Sequence, residues 1–549
     1  MDKNLDKTVK NRIILLSVLG MIIFAILSYR LYYIQIYKGD EYSSKALKQR
    51  GKEFSVYPNR GIIFDRNLTP LTNNEVIPTI IIEKRLLLSD NLMYNKILNS
   101  TDLSKKELDG IINKSKDLIQ IPLIDTSIVP ITSSNIFLID TIDRYNKESI
   151  LSHVVGYTNK SENNGEAGIE KSYDEFLRNH NGRSFIVEYD RDRSFILGGS
   201  HFTSHDSNSG DPSAVKLTID YDIQKKVENI LDDEEIKGAV IVVEIESGDI
   251  LALASRPNFN QKRIEDYFNS KDMALYNKGV QVGYPPGSIF KIVVLLTALE
   301  DIPNILEREY YCNGYQEING LKINCSNTHG RLSIDEAFAQ SCNSAFIQIG
   351  QELGAKKIIN MAKRLGFGSK INIGLLEEID GNLPDEKDVQ GAAIGNISIG
   401  QGPLEVTPLQ VTNLMVTLAN KGIDKGLALV KGITNEDGYM IKEYYREEGK
   451  QVISDYSADK TIDMLRKVVE VGTGRSMDLD EIGGGGGKTG SAQASLNNEL
   501  TVHGWFSGFI PSNDPQYIIT VFIEDTDNGS ITTLPIFERI GKEIFKLKS

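Results

Sequence analysis

Ser288-Ile289-Phe290-Lys291 is the stretch on which the reading of this chain turns. It follows Pro285-Pro286-Gly287 and opens into the apolar run Ile292–Leu299. Prolines and a glycine ahead of an apolar run predict a helix start. Ser288 and Lys291 stand three apart, so on a helix they share a face and can touch. A helix N-terminus adds partial positive charge, which favours an alkoxide-like serine and an oxyanion beside it. A desolvated lysine of lowered pKa can take the serine proton. The same residues also suit an N-cap serine followed by a surface lysine, and S-x-x-K alone does not separate the two.

Two further stretches do. Ser341-Cys342-Asn343 follows the amphipathic segment Leu332–Ala339. A serine hydroxyl there can pass a proton to a leaving amine, and an asparagine amide can hold a substrate carbonyl or the lysine. Lys488-Thr489-Gly490-Ser491 follows five glycines, Gly483–Gly487. Where a strand lacks side chains, a substrate backbone can lie against it. Lys488 and Thr489 suit recognition of a carboxylate. A phosphate-binding loop is excluded, because its pattern needs a glycine where the chain has Ile482. Each motif is common alone; in this order they describe a serine nucleophile activated by a lysine.

The chain has 549 residues, 40% of them hydrophobic, enough for two or more domains. Its net charge of −14, without a Lys/Arg stripe, argues against a nucleic-acid partner. Ile13–Tyr29 carries no charge and reaches the lower limit for a bilayer span. Arg30 can snorkel, and Tyr29, Tyr32 and Tyr33 suit the aromatic belt. Lys3, Lys7, Lys10 and Arg12 precede the span, which predicts a cytoplasmic tail over 1–12 and an anchor over 13–37. No A-x-A cleavage site follows, so an uncleaved anchor is expected, with the remainder extracytoplasmic.

The turn-forming run Asp206–Ser213 predicts a linker and a boundary between a domain over 38–215 and a second over 216–549. Ala239–Ile245 and Ile250–Ala254 read as a strand hairpin, and Tyr517–Ile523 as another strand. Pro535–Leu547 reads as a terminal helix with proline in its first turn. Strands at both ends with helices between predict an α/β (α+β) domain whose mixed sheet, flanked by helices, draws its edges from distant sequence.

Three cysteines are too few for a disulfide scaffold. Cys312, Cys325 and His329 have the spacing C-x12-C-x3-H, which suits tetrahedral zinc, with Asp301 or Asp335 as the acid for the fourth position. A Cys312–Cys325 disulfide and a pair of free thiols stay open beside zinc. Cys342 reads as a small packing residue.

With these motifs the chain resembles the class B penicillin-binding proteins, the monofunctional D,D-transpeptidases of cell-wall synthesis and cell shape. Arg60-Gly-Ile-Ile-Phe-Asp-Arg-Asn67 is similar to the family's R-G-x-I-x-D-R-N, and Gly165-Glu-Ala-Gly-Ile-Glu170 to its G-x-x-G-x-E. Gly402–Gln410 and Gly472-Thr473-Gly474 match segments of the catalytic domain. There is no glycosyltransferase signature and no E-x-x-L-N motif between Ser341 and Lys488.

The resemblance implies a β-lactamase-like transpeptidase domain over 216–549 on an elongated pedestal domain over 38–215. It implies that Ser288 attacks the penultimate D-Ala of a stem peptide while Lys291 serves as base. Ser341 then relays a proton, Asn343 orients the substrate, and Lys488 and Thr489 hold the terminal carboxylate. The N–H groups of Ser288 and Ser491 form the oxyanion hole, with Gly490 leaving room; Ser491 stands where the family more often has threonine. No cofactor is needed for the chemistry. The implied partners are peptidoglycan stem peptides, lipid-linked precursor, β-lactams, the membrane and a SEDS-type glycan polymerase. A β-lactam sensor, an idle scaffold and a carboxypeptidase are the alternatives.

Overall fold

The apolar runs at the two ends of the catalytic segment meet in one sheet. A computed structural model describes residues 2–548 except 40, 43–44, 46–50, 57–59, 128–135, 160–162, 179–182, 190–194, 205–212, 447, 497–498 and 527–528. Gly238–Glu244 and Ile250–Arg256 form the expected hairpin. Tyr517–Ile523 adds to Gly238–Glu244, Glu499–Ile510 adds next, and Gly486–Leu496 lies at the edge. All four pairings are antiparallel. Mixed pairing occurs in a second sheet, where Ile63–Phe64 runs parallel to Ala214–Leu217, followed by Val430–Thr434 and Met440–Glu443.

The central strands are continuous apolar runs because both faces of the sheet are covered. On one face Val240, Val242, Ile519 and Val521 pack with Ile223, Val227 and Leu231 of helix Tyr221–Asp233 and with Phe537 and Ile540 of helix Gly529–Lys548. On the other, Ile241 and Val243 join a larger core with helices Lys291–Asp301 and Pro408–Ala419. The terminal helix begins at Gly529, so Pro535 lies inside it rather than in its first turn. An interior proline removes a backbone hydrogen bond, and burial of Leu534, Ile536, Phe537 and Ile540 offsets that loss.

The chain divides into two compact units, and the division is not a single cut at 215. Residues 60–75 and 144–180 pack with 207–549. They are joined to it by the Ile63–Phe64 pairing with Ala214–Leu217 and by the N–H groups of Leu151 and Gly168, which donate to Glu228 at 2.7 Å and Glu377 at 3.0 Å; a buried ion cluster ties the two segments to each other. Arg60 bonds Glu170 and lies 2.7 Å from Asp174. Arg144 Nε donates to Glu170 at 2.5 Å, and the Tyr145 hydroxyl donates to the same carboxylate at 3.0 Å. A buried carboxylate needs such partners, so the R-G-x-I-x-D-R-N and G-x-x-G-x-E stretches stay together. The smaller unit comprises 1–59, 76–143 and 181–206. In it, strands Glu75–Glu83, Leu118–Pro122 and Ile136–Asp143 pack Ile80, Ile82, Ile119 and Ile121 against helices Asn91–Asn99 and Lys105–Lys114. Of the expected linker, 206–212 lies outside the described residues.

Helix Asp2–Tyr32 runs into a π-helical turn, Tyr33–Tyr37. Its window Val9–Tyr37 is long and apolar enough to cross a bilayer, and none of it is buried. This fits a single-pass membrane anchor.

Candidate active site

Ser288 lies in a 3-10 turn, Gly287–Phe290, and the α-helix proper begins at Lys291. The tight turn has a cause. Gly287 has φ +53°, and a side chain there would meet the carbonyl oxygen of Ser491 at 2.5 Å. Its N–H donates to Gly400 O at 2.9 Å. Gly490 faces the same turn, where an added Cβ would come within 3.1 Å of Pro286 O. The nucleophile turn is therefore pressed against the edge strand, and only small residues permit the approach.

Lys291 is fully buried one turn beyond the half-buried Ser288. Its Nζ donates to Ser341 O at 2.6 Å, Ser341 Oγ at 3.2 Å and Asn343 Oδ1 at 2.7 Å. Lys488, also fully buried, donates from Nζ to Ser341 Oγ at 3.0 Å and Thr489 O at 3.1 Å. Two lysines thus converge on one hydroxyl. Ser341 has φ +55°, a left-handed conformation that a serine adopts only under constraint. Asn343 Nδ2 donates to Asn324 O at 3.0 Å. Thr489 Oγ1 lies 2.7 Å from Thr473 Oγ1, which ties the G-T-G stretch to the site. Ser491 is exposed. The sequence pattern assigns no role to Thr473; a threonine between two glycines carries no signal of its own.

Burial lowers the Lys291 pKa to about 8, against a smaller opposite pull from Cys325 and Cys342. Burial, and then the charge of Lys291, depress Lys488 well below the ordinary lysine range. The site disfavours two ammonium groups, so a neutral amine is within reach near physiological pH.

The five glycines form part of a packed turn and strand. Gly483 and Gly484 have φ +78° and +74°. A Cβ on Gly486 would lie 2.3 Å from the Phe509 ring, and one on Gly487 2.6 Å from the Phe506 ring. Gly486→Ala is accordingly expected to destabilise the protein by about 1–3 kcal/mol, read as a lower Tm. An unchanged Tm would mean that Phe509 yields without strain.

Cys312, Cys325 and His329 come together, and Cys342 joins them, with all four ligand atoms within 4.8 Å of one another. This corrects the reading of Cys342 as packing alone. The fourth member comes from inside the S-x-N motif, because the turn before helix Asn343–Leu353 aims its Sγ at Cys325, 3.9 Å away. Asp301 and Asp335 are not members: they pair with Lys357 and Lys467. All three thiols are free, so there is no Cys312–Cys325 disulfide. Backbone N–H groups of Gly314, Asn343 and Ala345 donate to Cys312, Cys325 and Cys342 at 3.4, 3.2 and 3.5 Å. The Cys342 thiol holds Cys325 far below the usual thiol range, with help from backbone N–H groups, while Cys342 is pushed up. Cys325, lowered and met by the Asn343 N–H, is arranged as a thiolate, and the four groups together suit a Cys3His tetrahedral cation site.

A serine in the turn that opens a buried-lysine helix, pressed against an edge strand whose lysine shares a second serine with the first lysine, defines a lysine-activated serine acyltransferase. Residues 238–544, more than half of the chain, match the penicillin binding protein transpeptidase domain, and the chain belongs to that family. It is 29% identical over 559 residues to stage V sporulation protein D of Bacillus subtilis, covering 95% of this chain and 83% of that protein. It is 25% identical over 587 residues to the peptidoglycan D,D-transpeptidase MrdA of Acinetobacter baumannii, covering 95% and 85%. The fold matches that of a penicillin-binding protein (PBP2) from Helicobacter pylori with TM-score 0.68 and 22% identity, over 90% of this chain and 99% of that one.

Proposed function

We propose that the protein is a membrane-anchored serine D,D-transpeptidase that cross-links peptidoglycan stem peptides and is acylated by β-lactams. The observation that carries this reading is the buried Lys291 amine, bonded to Ser341 and Asn343 and depressed toward neutrality. Ser288 Oγ attacks the carbonyl of the penultimate D-Ala, and its proton passes to the neutral Lys291 amine. The N–H groups of Ser288 and Ser491 hold the oxyanion. When the intermediate collapses, the C–N bond breaks and Ser341 delivers a proton to the departing D-Ala amine. Lys488, bonded to the Ser341 hydroxyl, tunes that relay. With Thr489 it attracts the terminal carboxylate. Asn343 holds the substrate amide, and Gly490 leaves the strand edge open to the peptide. An amine of a neighbouring stem peptide then attacks the ester, restores Ser288 and completes the cross-link. In a β-lactam the leaving amine stays tethered, so the ester persists.

The basic residues before the anchor support a cytoplasmic N-terminus and an extracytoplasmic catalytic domain. The smaller unit outside the anchor, 76–143 with the segments beside it, then belongs to the pedestal, and the larger unit carries the transpeptidase domain, fed with lipid-linked precursor by a SEDS-type glycan polymerase. Intact mass after incubation with penicillin, alongside a cross-linking assay on lipid-linked substrate, tests the whole reading. A stable adduct with cross-linked product supports it. An adduct with D-Ala release and no cross-link indicates a carboxypeptidase, and an adduct with neither indicates a sensor or scaffold.

A structural zinc on Cys312, Cys325, His329 and Cys342 is the second part of the proposal; it supplies folding free energy rather than chemistry. Protein purified without a His-tag is expected to carry about one zinc per chain. Cys325→Ser should lower both metal content and Tm, and a metal-free protein of unchanged Tm would end the assignment.

A further inference from the structure

Behind the nucleophile turn lies a buried charged cluster that the reaction itself does not use. Lys278 and Glu524 form an ion pair at 0% and 6% exposure. The Tyr284 hydroxyl donates to the other oxygen of Glu524 at 2.5 Å. Tyr284 is 4% exposed. Its ring packs on Phe522 at 4.0 Å between centroids, with His503 at 5.5 Å and Trp505 at 6.5 Å. Its backbone is clamped as well: Tyr284 N donates to Val406 O at 2.9 Å, and Val406 N donates back at 2.8 Å. One residue on, Pro285 O accepts from Trp505 Nε1 at 3.1 Å. Trp505 stands opposite Gly490 in the strand ladder.

A buried ion pair is a poor way to gain stability, because desolvation cancels much of the attraction. Apolar residues of the same volume would serve a core as well. Charge and hydrogen bonding add direction: they hold one group at one place. Here the group held is Tyr284, and the segment between it and Ser288 is stiff. Pro285 and Pro286 each have a restricted φ, and Gly287 is trapped between Ser491 and Gly400. A displacement of Tyr284 cannot be absorbed in that segment and passes to Ser288.

We propose that Lys278, Glu524 and Tyr284 are positioning residues that set the place of Ser288 relative to Lys291 and the oxyanion-hole strand. They touch no reacting atom. Their effect lies on the covalent step, because nucleophile placement governs attack while the open strand edge governs binding. The proposal rests on Ser288 being the nucleophile.

The test separates pre-covalent binding from acylation in stopped-flow penicillin labelling. Tyr284→Phe removes one hydroxyl and keeps the ring. It is expected to slow the maximal acylation rate by about 10- to 100-fold and to change the pre-covalent dissociation constant by less than about twofold. A double variant, Lys278→Met with Glu524→Leu, removes both buried charges at similar volume. It is expected to fold and to show the same loss, and adding Tyr284→Phe to it should cost little more. Wild-type acylation in either folded variant overturns the proposal. So does a loss confined to binding, and so does failure of both variants to fold, which would make the cluster structural only. If the wild-type protein itself takes no label, the acyltransferase reading fails instead, and the two failures are distinguishable.

Discussion

Ser288→Ala is expected to abolish covalent penicillin labelling, by roughly 10⁴-fold or more, with the fold intact. The acyl bond needs that oxygen, and no other hydroxyl in the site has its relation to the lysine helix. Ser341 is the nearest rival, but its Oγ is engaged by Lys291 and Lys488 at once. The turn that carries Ser288 is held by contacts of Gly287 with Gly400 and Ser491, none of which involves the Ser288 side chain. Tm should therefore stay close to that of the unaltered protein. Intact mass of the variant after prolonged exposure to penicillin is the measurement. An adduct on Ser288→Ala would move the nucleophile elsewhere.

Lys291→Arg should lose acylation almost as completely, by about 10³-fold or more. Arginine keeps the charge but does not give up its proton, so it cannot serve as a base. It must also fit a planar fork into a buried space built for one ammonium with three acceptors. The pH profile of the unaltered protein carries the same information. With Lys291 depressed to about 8, the reactive neutral form is scarce below that pH. The acylation rate should rise about tenfold per pH unit below the midpoint and level off above it. A flat profile between about pH 6 and 9 would assign the proton to another group. Folding stability follows the same depression. Between about 8 and the ordinary 10.5, the unfolded chain holds a proton that the folded one does not. The contribution of this site to stability therefore rises with pH across that window, and its full cost is present below about 8.

Much of the architecture is legible in local pattern. Ala239–Ile245, Ile250–Ala254 and Tyr517–Ile523 are apolar runs between turn residues, and they became adjacent strands within a residue or two of their expected ends. The anchor is legible for the same reason: a long uncharged stretch has few structural uses. Gly486 and Gly487 were opaque, because the demand for a missing side chain comes from Phe509 and Phe506 on the neighbouring strand. Arg60 and Glu170 were matched as motifs, yet only the folded chain shows that their burial together joins residues 60–75 to 144–180, and that the pairing of Ile63–Phe64 with Ala214–Leu217 brings them to the larger unit.

Taken alone, the sequence determined the reactive groups, their order along the chain and the apolar runs that build the sheet, because these are properties of residue type and short-range period. Tertiary structure alone decided that Lys291 and Lys488, far apart in sequence, share the Ser341 hydroxyl. It also decided that Cys342 faces Cys312, Cys325 and His329, and that Glu524 lies beneath a turn more than two hundred residues earlier. Those relations rest on desolvation and on distances of a few ångströms between segments that meet only when the sheet closes, and no local pattern encodes them.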